Sequence, residues 1–426
     1  DPVGRLLEAT STLGKETFAF DPASNLLDPT SAQANESTLG MAGPVYTYRH
    51  RSARLDNLLR EYAGTHYQYD ARGNLIEKLH NGERSNFEWD LFNRLTGYRS
   101  ETLRVNYQYD ALGRRLMKQS EAHWRERPGM TPMQRQEEKT RLNRMLGCGA
   151  TLYGWDGDNL AWEGRDDQTT HYLYEPGSFV PLAQAISKKP VLLHQQPVYA
   201  GGYDIEQDPL WTTSPEPDAV DALAWYQCDH LGTPQELTDA HGEIVWSAQY
   251  KAWGVAKEAI STAARAAGIR NSIRFQGQYW DHETGLHYNR HRYYDPEIGR
   301  FIAKDPIGFA GGLNVYQYAD NPVGWVDPLG LTGISPIIDP ADVAGKTPLE
   351  INQFSRSVGL IQKGPDPIVG QGAYVDPITG KQRVLIHTNA LPCHCHVNNS
   401  AGERLNALGK VVAPESLEAH LPINYP

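Results

Sequence analysis

Residues 67–75 read Tyr67-Gln68-Tyr69-Asp70-Ala71-Arg72-Gly73-Asn74-Leu75, and this unit decides the fold. In an extended strand, two tyrosines placed two positions apart lie on the same face. Asp70 can accept hydrogen bonds from backbone amides two residues further on, and Gly73 can adopt a positive φ, so a tight turn follows the strand. Leu75 then begins the returning strand. Each such unit therefore predicts one β-hairpin.

The unit recurs along the chain, and its aspartates fall at a spacing of twenty residues. A single hairpin cannot bury its own apolar face, so neighbouring hairpins must stack, and a fixed repeat predicts a long, spiralling β-sheet. The alternative is an ordinary β-meander with accidental Tyr-Asp pairs, which the strict register of three copies disfavours. The further copies are Phe87-x-Trp89-Asp90, Tyr107-x-Tyr109-Asp110, Phe18-x-Phe20-Asp21, Tyr153-x-Trp155-Asp156, Tyr172-x-Tyr174-Glu175 and Tyr226-x-Cys228-Asp229.

Two segments interrupt the repeat. Residues 131–146 are charged and rich in helix-forming residues, and residues 256–267 are rich in alanine, so we predict a helix in each. Both are interpreted as insertions on the repeat sheet.

The composition bounds the class of protein. A net charge of −11 in 426 residues does not indicate a general nucleic-acid scaffold, and 23 tyrosines suit a half-buried β surface. No apolar run approaches the roughly 18 residues that span a bilayer. Four cysteines in so long a chain do not indicate a disulfide scaffold; they are Cys148, Cys228, Cys393 and Cys395. The chain opens in what looks like the middle of a repeat, so we expect it to be a fragment of a longer protein.

The repeat ends at a motif of the form Pro-x-x-x-x-Asp-Pro-x-Gly-Leu. Its fixed positions are Pro322, Asp327, Pro328, Gly330 and Leu331. This motif, with the segment that begins at Ile273, resembles the self-cleaving border of Rhs polymorphic toxins. The resemblance implies a repeat shell segment over residues 1–272, a border over residues 273–331 and a small α+β toxin domain over residues 332–426. It also implies that the spiralling sheet forms part of a hollow cocoon, and that this chain holds too few repeats to close one.

The border carries a predicted chemistry of its own. Two carboxyl groups held close together cannot both ionise easily, so one can act as an acid and the other as a base on a peptide bond. Rhs borders are similar to such intramolecular aspartyl proteases, and the resemblance implies Asp305 and Asp327 as the pair, with cleavage after Leu331. Arg300 is a candidate for orienting a carboxylate, and Asp320 is a competing member of the pair. The alternative is that each Asp-Pro dipeptide only opens a turn.

The tail after residue 331 has a different texture. A capping box from Thr347 to Glu350, with Pro348 in the first turn, predicts a helix. Residues 373–375 and 382–387, separated by an Asp-Pro-Ile-Thr-Gly turn, predict a hairpin. These elements indicate a small α+β domain.

The tail also concentrates histidines. His387 closes a predicted strand, and His394 and His396 alternate with Cys393 and Cys395, so the two histidines share one face of a strand. A fourth, His420, lies near the end of the chain. This texture resembles a histidine-rich family of polymorphic toxins that are predicted to be ribonucleases, and the resemblance covers most of the tail.

Histidines suit metal-free RNA cleavage, because an imidazole near its ordinary pKa can act as a base or as an acid at neutral pH. We predict that His387 acts with His394 or His396, and we include His420 as a further candidate. Lys381 and Arg383 are the candidates for holding the phosphate. Single histidines more often cap strands and bind backbone groups, and that alternative stays open for each of them.

A metal centre is the competing chemistry. Cys393, His394, Cys395 and His396 are possible zinc ligands, together with His387 or His420, although their alternating spacing is unlike the usual Cys-x-x-Cys loop. A metal-assisted DNase is therefore an alternative to the RNase. The sequence gives no firm cofactor.

The Rhs resemblance implies partners and a location. The partners are a cognate immunity protein, the N-terminal remainder of the shell, a type VI secretion spike with its chaperone, and RNA in preference to DNA as the substrate. The protein would be made in the bacterial cytoplasm and secreted, and the toxin would act in the cytoplasm of the target cell. Non-enzymatic cargo is a further alternative. An ADP-ribosyltransferase is disfavoured, because the chain shows no convincing nicotinamide-binding pattern.

Overall fold

The chain is described by a computed structural model, and the fold is mainly β, as the repeat predicts. Within the described residues it forms four antiparallel sheets and a few short helices. None of these helices combines the length and the apolar character needed to cross a bilayer. The described residues are 1, 4–28, 57–124, 126–165, 168–191, 197–212, 219–331, 333, 338–377, 379–390 and 392–424.

Fifteen strands form the largest sheet, and each strand pairs with the next one in sequence. A separate hairpin of β1 (Glu8–Ser11) and β2 (Gly14–Thr17) precedes it. In chain order the fifteen strands are β3 Glu61–Tyr62, β4 Thr65–Tyr69, β5 Leu75–His80, β6 Glu83–Trp89, β7 Leu95–Arg99, β8 Leu103–Tyr109, β9 Arg115–Ala122, β10 Ala150–Asp156, β11 Asn159–Arg165, β12 Gln168–Tyr174, β13 Pro181–Ser187, β14 Ala222–Cys228, β15 Pro234–Asp239, β16 Ile244–Tyr250 and β17 Ala256–Ile260.

The predicted repeat turn is confirmed in atomic detail. Asp70 Oδ1 accepts hydrogen bonds from the backbone amides of Arg72 at 2.9 Å and Asn74 at 2.8 Å, and Gly73 has a φ of 91°. Asp90 and Asp110 also accept a bond from the amide four residues further on, at 2.9 and 2.8 Å. The carboxylate thus accepts hydrogen bonds from turn amides that the strand pairing leaves without a partner. This explains why an aspartate recurs with each hairpin.

The aromatic residues of the repeat face one side of the sheet, as predicted. Tyr67, Phe87 and Tyr107 are buried and belong to one apolar cluster, and the second ring of each unit packs against that cluster half-buried. The same cluster contains Tyr288 and Tyr293 from the border, and Tyr293 lies 5.8 Å from Tyr107, centroid to centroid. The border therefore packs on the aromatic face of the repeat sheet.

The border strands form a four-stranded sheet on that face. They are β18 Tyr279–Asp281, β19 Leu286–Asn289, β20 Arg292–Asp295 and β21 Arg300–Phe301. Buried charges join the two sheets: Asp281 contacts Lys118 at 2.8 Å and Arg115 at 3.3 Å, and all three side chains are almost fully enclosed. A buried charge is costly unless it is paired, so this network fixes how the border seats on the repeats.

The two predicted insertions differ in outcome. The first is confirmed as helix α1 (Pro132–Leu146), with a capping box between Thr131 and Gln134 and a left-handed Gly147 at its end. The second prediction is wrong over its first half, because residues 256–260 continue the sheet as β17 and only α3 (Thr262–Ala267) is helical. The alanine content favours a helix only weakly, and the pairing of residues 256–260 with β16 overrides that preference. A further short helix, α2 (Pro209–Thr212), lies between α1 and α3 in the sequence.

The tail folds around its own apolar cluster, which includes Val384, Cys395 and Val397. Helix α4 (Pro348–Ser357) begins at the predicted capping box of Thr347 and Glu350. The strands are β22 Ile361–Asp366, β23 Gln371–Val375, β24 Gln382–His387, β25 His394–Asn398, β26 Arg404–Leu405 and β27 Leu421–Pro422. On one edge of β25, β27 pairs with its beginning and β26 with its end, while β24 pairs along the other edge.

Candidate active sites

The two predicted border aspartates meet at one arginine. Arg292, the first residue of β20, places the same guanidinium nitrogen, Nη2, 3.0 Å from Asp305 Oδ2 and 3.5 Å from Asp327 Oδ2. The guanidinium stacks on the ring of Phe301, 3.7 Å from its centroid. All three charged side chains are buried. The cation therefore holds the two carboxylates in one enclosed site.

Arg300 does not have the orienting role suggested by its sequence position. Its guanidinium donates to Asn25 Oδ1 at 3.1 Å and to the backbone carbonyl of Asn57 at 2.5 Å. Asp320, the competing aspartate, accepts a hydrogen bond from Gln317 Nε2 at 2.7 Å. Both residues bond to neighbouring loops, and Arg292 is the residue that contacts both aspartates and that the sequence did not single out.

The chain before the predicted cleavage point is held by this site. Asp327 Oδ1 accepts a hydrogen bond from the Leu331 backbone N–H at 2.9 Å, and Arg292 Nε donates to the Gly330 carbonyl at 2.5 Å. Asn289 Nδ2 donates to the Asp327 carbonyl at 2.6 Å. The residue that follows Leu331 lies outside the described part of the chain. These bonds hold the backbone from Asp327 to the Leu331 amide, next to the carbonyl of the predicted scissile bond.

Asp305 faces that carbonyl. A Cβ atom built on Gly311 would collide with both Asp305 Oδ2 and the Leu331 carbonyl oxygen, so the two oxygens border the same small space. Burial raises the pKa of Asp305, and this outweighs the nearby Arg292 charge and the Ile307 amide bond, which lower it. A raised pKa favours the protonated acid, which can donate to a carbonyl oxygen.

The four predicted toxin histidines also meet. His387 ends β24 and pairs directly with His394, the first residue of β25, so both rings share a face with His396. His420 lies just before β27, which pairs with β25. The ring centroids of neighbouring histidines are 4.5–4.9 Å apart. Strand pairing thus assembles residues that are more than thirty positions apart in sequence.

Backbone carbonyls set the orientation of three of these rings. The Nδ1 atoms of His394, His396 and His420 lie 3.0 Å from the Pro392 carbonyl, 2.7 Å from the Ala419 carbonyl and 2.7 Å from the Ser416 carbonyl, respectively. A carbonyl oxygen can only accept, so each Nδ1 carries the proton. In the neutral ring, the lone pair is therefore on Nε2.

The environment keeps two of the rings neutral. Burial lowers the pKa of His396 to about 4, and the nearby charges of Arg404 and the other histidines add to this effect. Burial, followed by His394 and Arg404, lowers the pKa of His387. A neutral imidazole at neutral pH can accept a proton or a metal ion.

The predicted mixed cysteine and histidine ligand set is not brought together. Cys395 is fully buried in the apolar cluster, on the opposite face of β25 from His394 and His396. Cys393 Sγ lies 3.1 Å from the Thr388 carbonyl oxygen, to which it donates. Side chains alternate along a strand, so the spacing that unites the histidines separates them from Cys395. The three atoms that could bind a metal are instead nitrogens of His387, His394 and His396, all within 4.8 Å of one another.

The two predicted phosphate-binding cations lie elsewhere. Arg383 is fully buried, donates from Nε to the Asn398 carbonyl at 3.1 Å and pairs with Asp376 at 3.7 Å, so it stabilises the tail. The Lys381 amine lies 3.4 Å from the Cβ position of Gly177 in the repeat sheet. The interpretation of Arg383 as a substrate ligand is therefore wrong, and Lys381 is directed toward the turn at Gly177.

Arg404 is the cation that the sequence did not reveal. It lies on β26 and pairs with Asn398, beside the strand that carries His394 and His396. Its charge adds to burial in lowering the pKa of His387 and His396. Its Nη1 atom is buried without a hydrogen-bond partner among the described residues. Only the strand order could have identified this residue.

Comparisons with known proteins identify the family. The family model described as RHS protein matches residues 223–259. The double-stranded DNA deaminase toxin A of Burkholderia cenocepacia (strain H111) is 33% identical over 341 residues, which are 78% of this chain and 20% of that protein. Toxin protein Tse5 of Pseudomonas aeruginosa is 34% identical over 355 residues, 77% of this chain and 24% of that protein.

A third relative has another activity in its name. The probable deoxyribonuclease RhsA of Dickeya dadantii (strain 3937) is 30% identical over 345 residues, covering 78% of this chain and 20% of that protein. The chain thus spans about a fifth to a quarter of the length of these curated relatives. Similar shares of the chain match toxins with differently named activities, so the shared part identifies the family and leaves the cargo open. The chain belongs to the Rhs family of polymorphic toxins.

Proposed function

We propose that this chain is the C-terminal part of an Rhs effector of interbacterial competition, in which a repeat shell encloses a nuclease toxin. Family membership and the fifteen-stranded repeat sheet support the shell. The named deaminase and deoxyribonuclease relatives support cargo that acts on nucleic acid. The proposed division is a shell segment over residues 1–272, a border over residues 273–331 and a toxin over residues 332–426.

The toxin is proposed to cleave RNA with its histidine cluster. The observation that carries this proposal is the convergence of four imidazoles, whose neighbouring ring centroids are 4.5–4.9 Å apart. Arg404 lies on the strand next to β25. His387, kept neutral by burial, takes the proton of a 2′-hydroxyl, and the 2′-oxygen bonds to phosphorus. The bond from phosphorus to the 5′-oxygen breaks as His394, starting as the imidazolium, donates its Nε2 proton to that oxygen. The products are a 2′,3′-cyclic phosphate and a 5′-hydroxyl end.

Arg404 is proposed to hold the phosphate. Its Nη1, which has no hydrogen-bond partner in the part of the chain that the structure describes, is suited to an anionic oxygen. An arginine can stabilise the charge that gathers on the phosphate in the transition state. His396 and His420 keep the cluster in place through their bonds to backbone carbonyls.

A metal-dependent DNase is the second candidate. The three histidine nitrogens within 4.8 Å of one another favour it, because three histidines with an open position can hold a catalytic metal ion. The two candidates differ in one respect that can be tested. Acid/base cleavage needs the 2′-hydroxyl of RNA, and metal-assisted cleavage does not.

Expression of the full chain in bacteria without an immunity protein tests the proposal. Wild type should degrade total RNA and stop growth. The His387→Ala variant should leave the RNA intact and allow growth, whereas the exposed control His241→Ala should behave like wild type. Growth arrest with intact RNA and broken DNA would favour the DNase. Growth arrest that survives substitution of all four clustered histidines would rule out a nuclease at this site.

The border is proposed to release the toxin by autoproteolysis after Leu331. A water molecule adds to the Leu331 carbonyl carbon, protonated Asp305 donates to the carbonyl oxygen, and Asp327 takes the proton of the water. The carbon–nitrogen bond to Thr332 then breaks as Asp327 gives its proton to the leaving nitrogen and Asp305 takes a proton from one hydroxyl of the intermediate, which leaves a free amine and the Leu331 carboxyl group. The bond from the Leu331 amide to Asp327 and the enclosed Asp305 support these roles.

The remaining expectations follow from the family. The proposed partners are a cognate immunity protein, the N-terminal remainder of the shell and a type VI secretion spike with its chaperone. The protein is proposed to be made in the bacterial cytoplasm and secreted, and its toxin to act on RNA in the cytoplasm of the target cell.

A further inference from the structure

The histidine cluster has the features of a metal-binding site. Its four rings are carried by β24, by β25 and by the residue before β27, and strand pairing fixes the spacing of their backbones. No carboxylate is among the three residues whose ligand atoms lie within 4.8 Å of one another. Imidazole nitrogens alone suit zinc, copper and nickel, and they disfavour magnesium and calcium, which need oxygen ligands.

The proton positions support ligation. His394, His396 and His420 each place a protonated Nδ1 on a backbone carbonyl, at 2.7–3.0 Å, and this leaves the Nε2 lone pair available in the neutral ring. Histidines that bind metals almost always donate their other N–H to a carbonyl or carboxylate in this way. These carbonyls belong to the backbone of two segments, at Pro392 and at Ser416 and Ala419, so the orientation is built into the fold.

The distances allow closure with small movements. Two zinc–nitrogen bonds of about 2.0–2.1 Å in a tetrahedral site bring their nitrogens to roughly 3.4 Å from each other. The nitrogens of His387, His394 and His396 are at most 4.8 Å apart. His420 is within reach of a fourth position, since its ring lies 4.5 Å from that of His394 and 4.7 Å from that of His396. Small rotations of the rings would bring the nitrogens to metal-binding separations.

We propose that His387, His394, His396 and His420 bind one divalent transition metal ion, with Zn²⁺ as the representative, and that the bound ion blocks the nuclease. The inhibitory part rests on the proposed function. A bound metal ion would occupy the lone pair with which His387 accepts a proton. It would also occupy the nitrogen from which His394 donates one. Metal binding and acid/base cleavage therefore exclude each other at this site.

Arg404 distinguishes the two activities. It lies on β26, paired with Asn398 on the strand that carries His394 and His396, and a positive charge at that place repels a metal ion and attracts a phosphate. Arg404→Gln should therefore raise the affinity for Zn²⁺ and lower the rate of RNA cleavage. A purely structural role of Arg404 would change both in the same direction.

The test uses the purified full chain after removal of metals. Titration calorimetry with Zn²⁺ should show one tight site per chain, and Mg²⁺ should give no heat. His396→Ala and His420→Ala should each weaken Zn²⁺ binding by more than about tenfold, and His241→Ala should leave it unchanged. His394→Gln, which keeps the size of the side chain, checks that a loss is not due to unfolding, and circular dichroism of each variant confirms the fold.

Cleavage of RNA by the same samples separates the possible failures. Inhibition by stoichiometric Zn²⁺, reversed by a chelator, supports the full proposal. Zn²⁺ binding without any cleavage of RNA supports the metal site and overturns the proposed ribonuclease activity. Cleavage that requires Zn²⁺ overturns the inhibitory role and favours the metal-dependent alternative. Wild type that binds Zn²⁺ no more tightly than the histidine variants overturns the metal site.

Discussion

Asp327 holds Leu331 through a hydrogen bond of 2.9 Å from the Leu331 backbone N–H to Asp327 Oδ1. The other oxygen of this carboxylate lies 3.5 Å from Arg292, so the side chain is fixed at both ends. The carboxylate is thereby tied to the residue that precedes the proposed cleavage point. The following predictions depend on this arrangement and on the repeat that supports it.

Substitution of either border aspartate should stop cleavage. Asp327→Asn and Asp305→Asn keep the size and the hydrogen-bonding oxygen of the side chain but remove its acid/base function, which is worth about 10²–10⁴-fold in rate. Mass spectrometry of wild type should show a C-terminal fragment beginning at Thr332, and both variants should stay intact. The control is Asp320→Asn, which should be cleaved like wild type because Asp320 bonds to Gln317 instead. An uncut wild-type chain, in its complete form, would contradict autoproteolysis.

Arg292 should matter for cleavage and Arg300 should not. Arg292→Gln removes the cation that touches both aspartates and the bond to the Gly330 carbonyl, and misplacement of reacting groups can cost up to about 10²-fold in rate. The time course of fragment formation after cell-free synthesis measures this effect. Arg300→Gln should lower the stability of the border and leave the fraction that folds cleaving at the wild-type rate. Equal slowing by both substitutions would show that Arg292 has no special role.

Cleavage should depend on pH in the direction set by Asp305. Burial raises the pKa of this carboxyl above its ordinary value of 3.8, so the protonated donor persists to a higher pH than for an exposed aspartate. The rate should therefore fall as the pH rises through the raised pKa. Newly synthesised chain diluted into a series of buffers gives this profile by gel densitometry. A rate that increases across the same range would assign Asp305 the role of base.

The repeat turn should contribute measurable stability. Asp90 Oδ1 accepts bonds from the amides of Phe92 and Arg94, and its Oδ2 pairs with the Arg94 guanidinium at 2.7 Å. Asp90→Ala should lower the free energy of unfolding by about 1–2 kcal/mol, since the ion pair is partly exposed and adds little. Urea denaturation measures the change, with exposed Glu83→Ala as the control. Hydrogen bonds lower the pKa of Asp90 despite its partial burial, so this contribution is present at neutral pH and is lost as the pH falls through the lowered pKa.

The repeat sheet could be predicted from the sequence because its information is local. Tyr67, Asp70 and Gly73 lie within one hairpin, and their roles follow from strand alternation and turn geometry. The strand at residues 256–260 was missed because its conformation depends on pairing with β16. Local composition carries no information on that pairing.

The candidate sites could be predicted only in part for the same reason. His387, His394 and His396 were found because strand alternation places them on one face, and Cys395 falls on the other face by the same rule. Arg292 and Arg404 were missed, since their positions depend on sheets that bring distant residues together. Arg383 was misassigned because it lies near the histidines in sequence, whereas the fold buries its side chain away from solvent.

The nature of the RNA ends formed by the purified chain tests the proposed nuclease most directly. A single-stranded RNA and a DNA of the same sequence are incubated with wild type and His387→Ala in the presence of a chelator. The acid/base route predicts that wild type cuts only the RNA, that its products carry 2′,3′-cyclic phosphate and 5′-hydroxyl ends, and that His387→Ala is at least about 10²-fold slower. Cleavage that the chelator abolishes, or equal cleavage of the DNA, would contradict it.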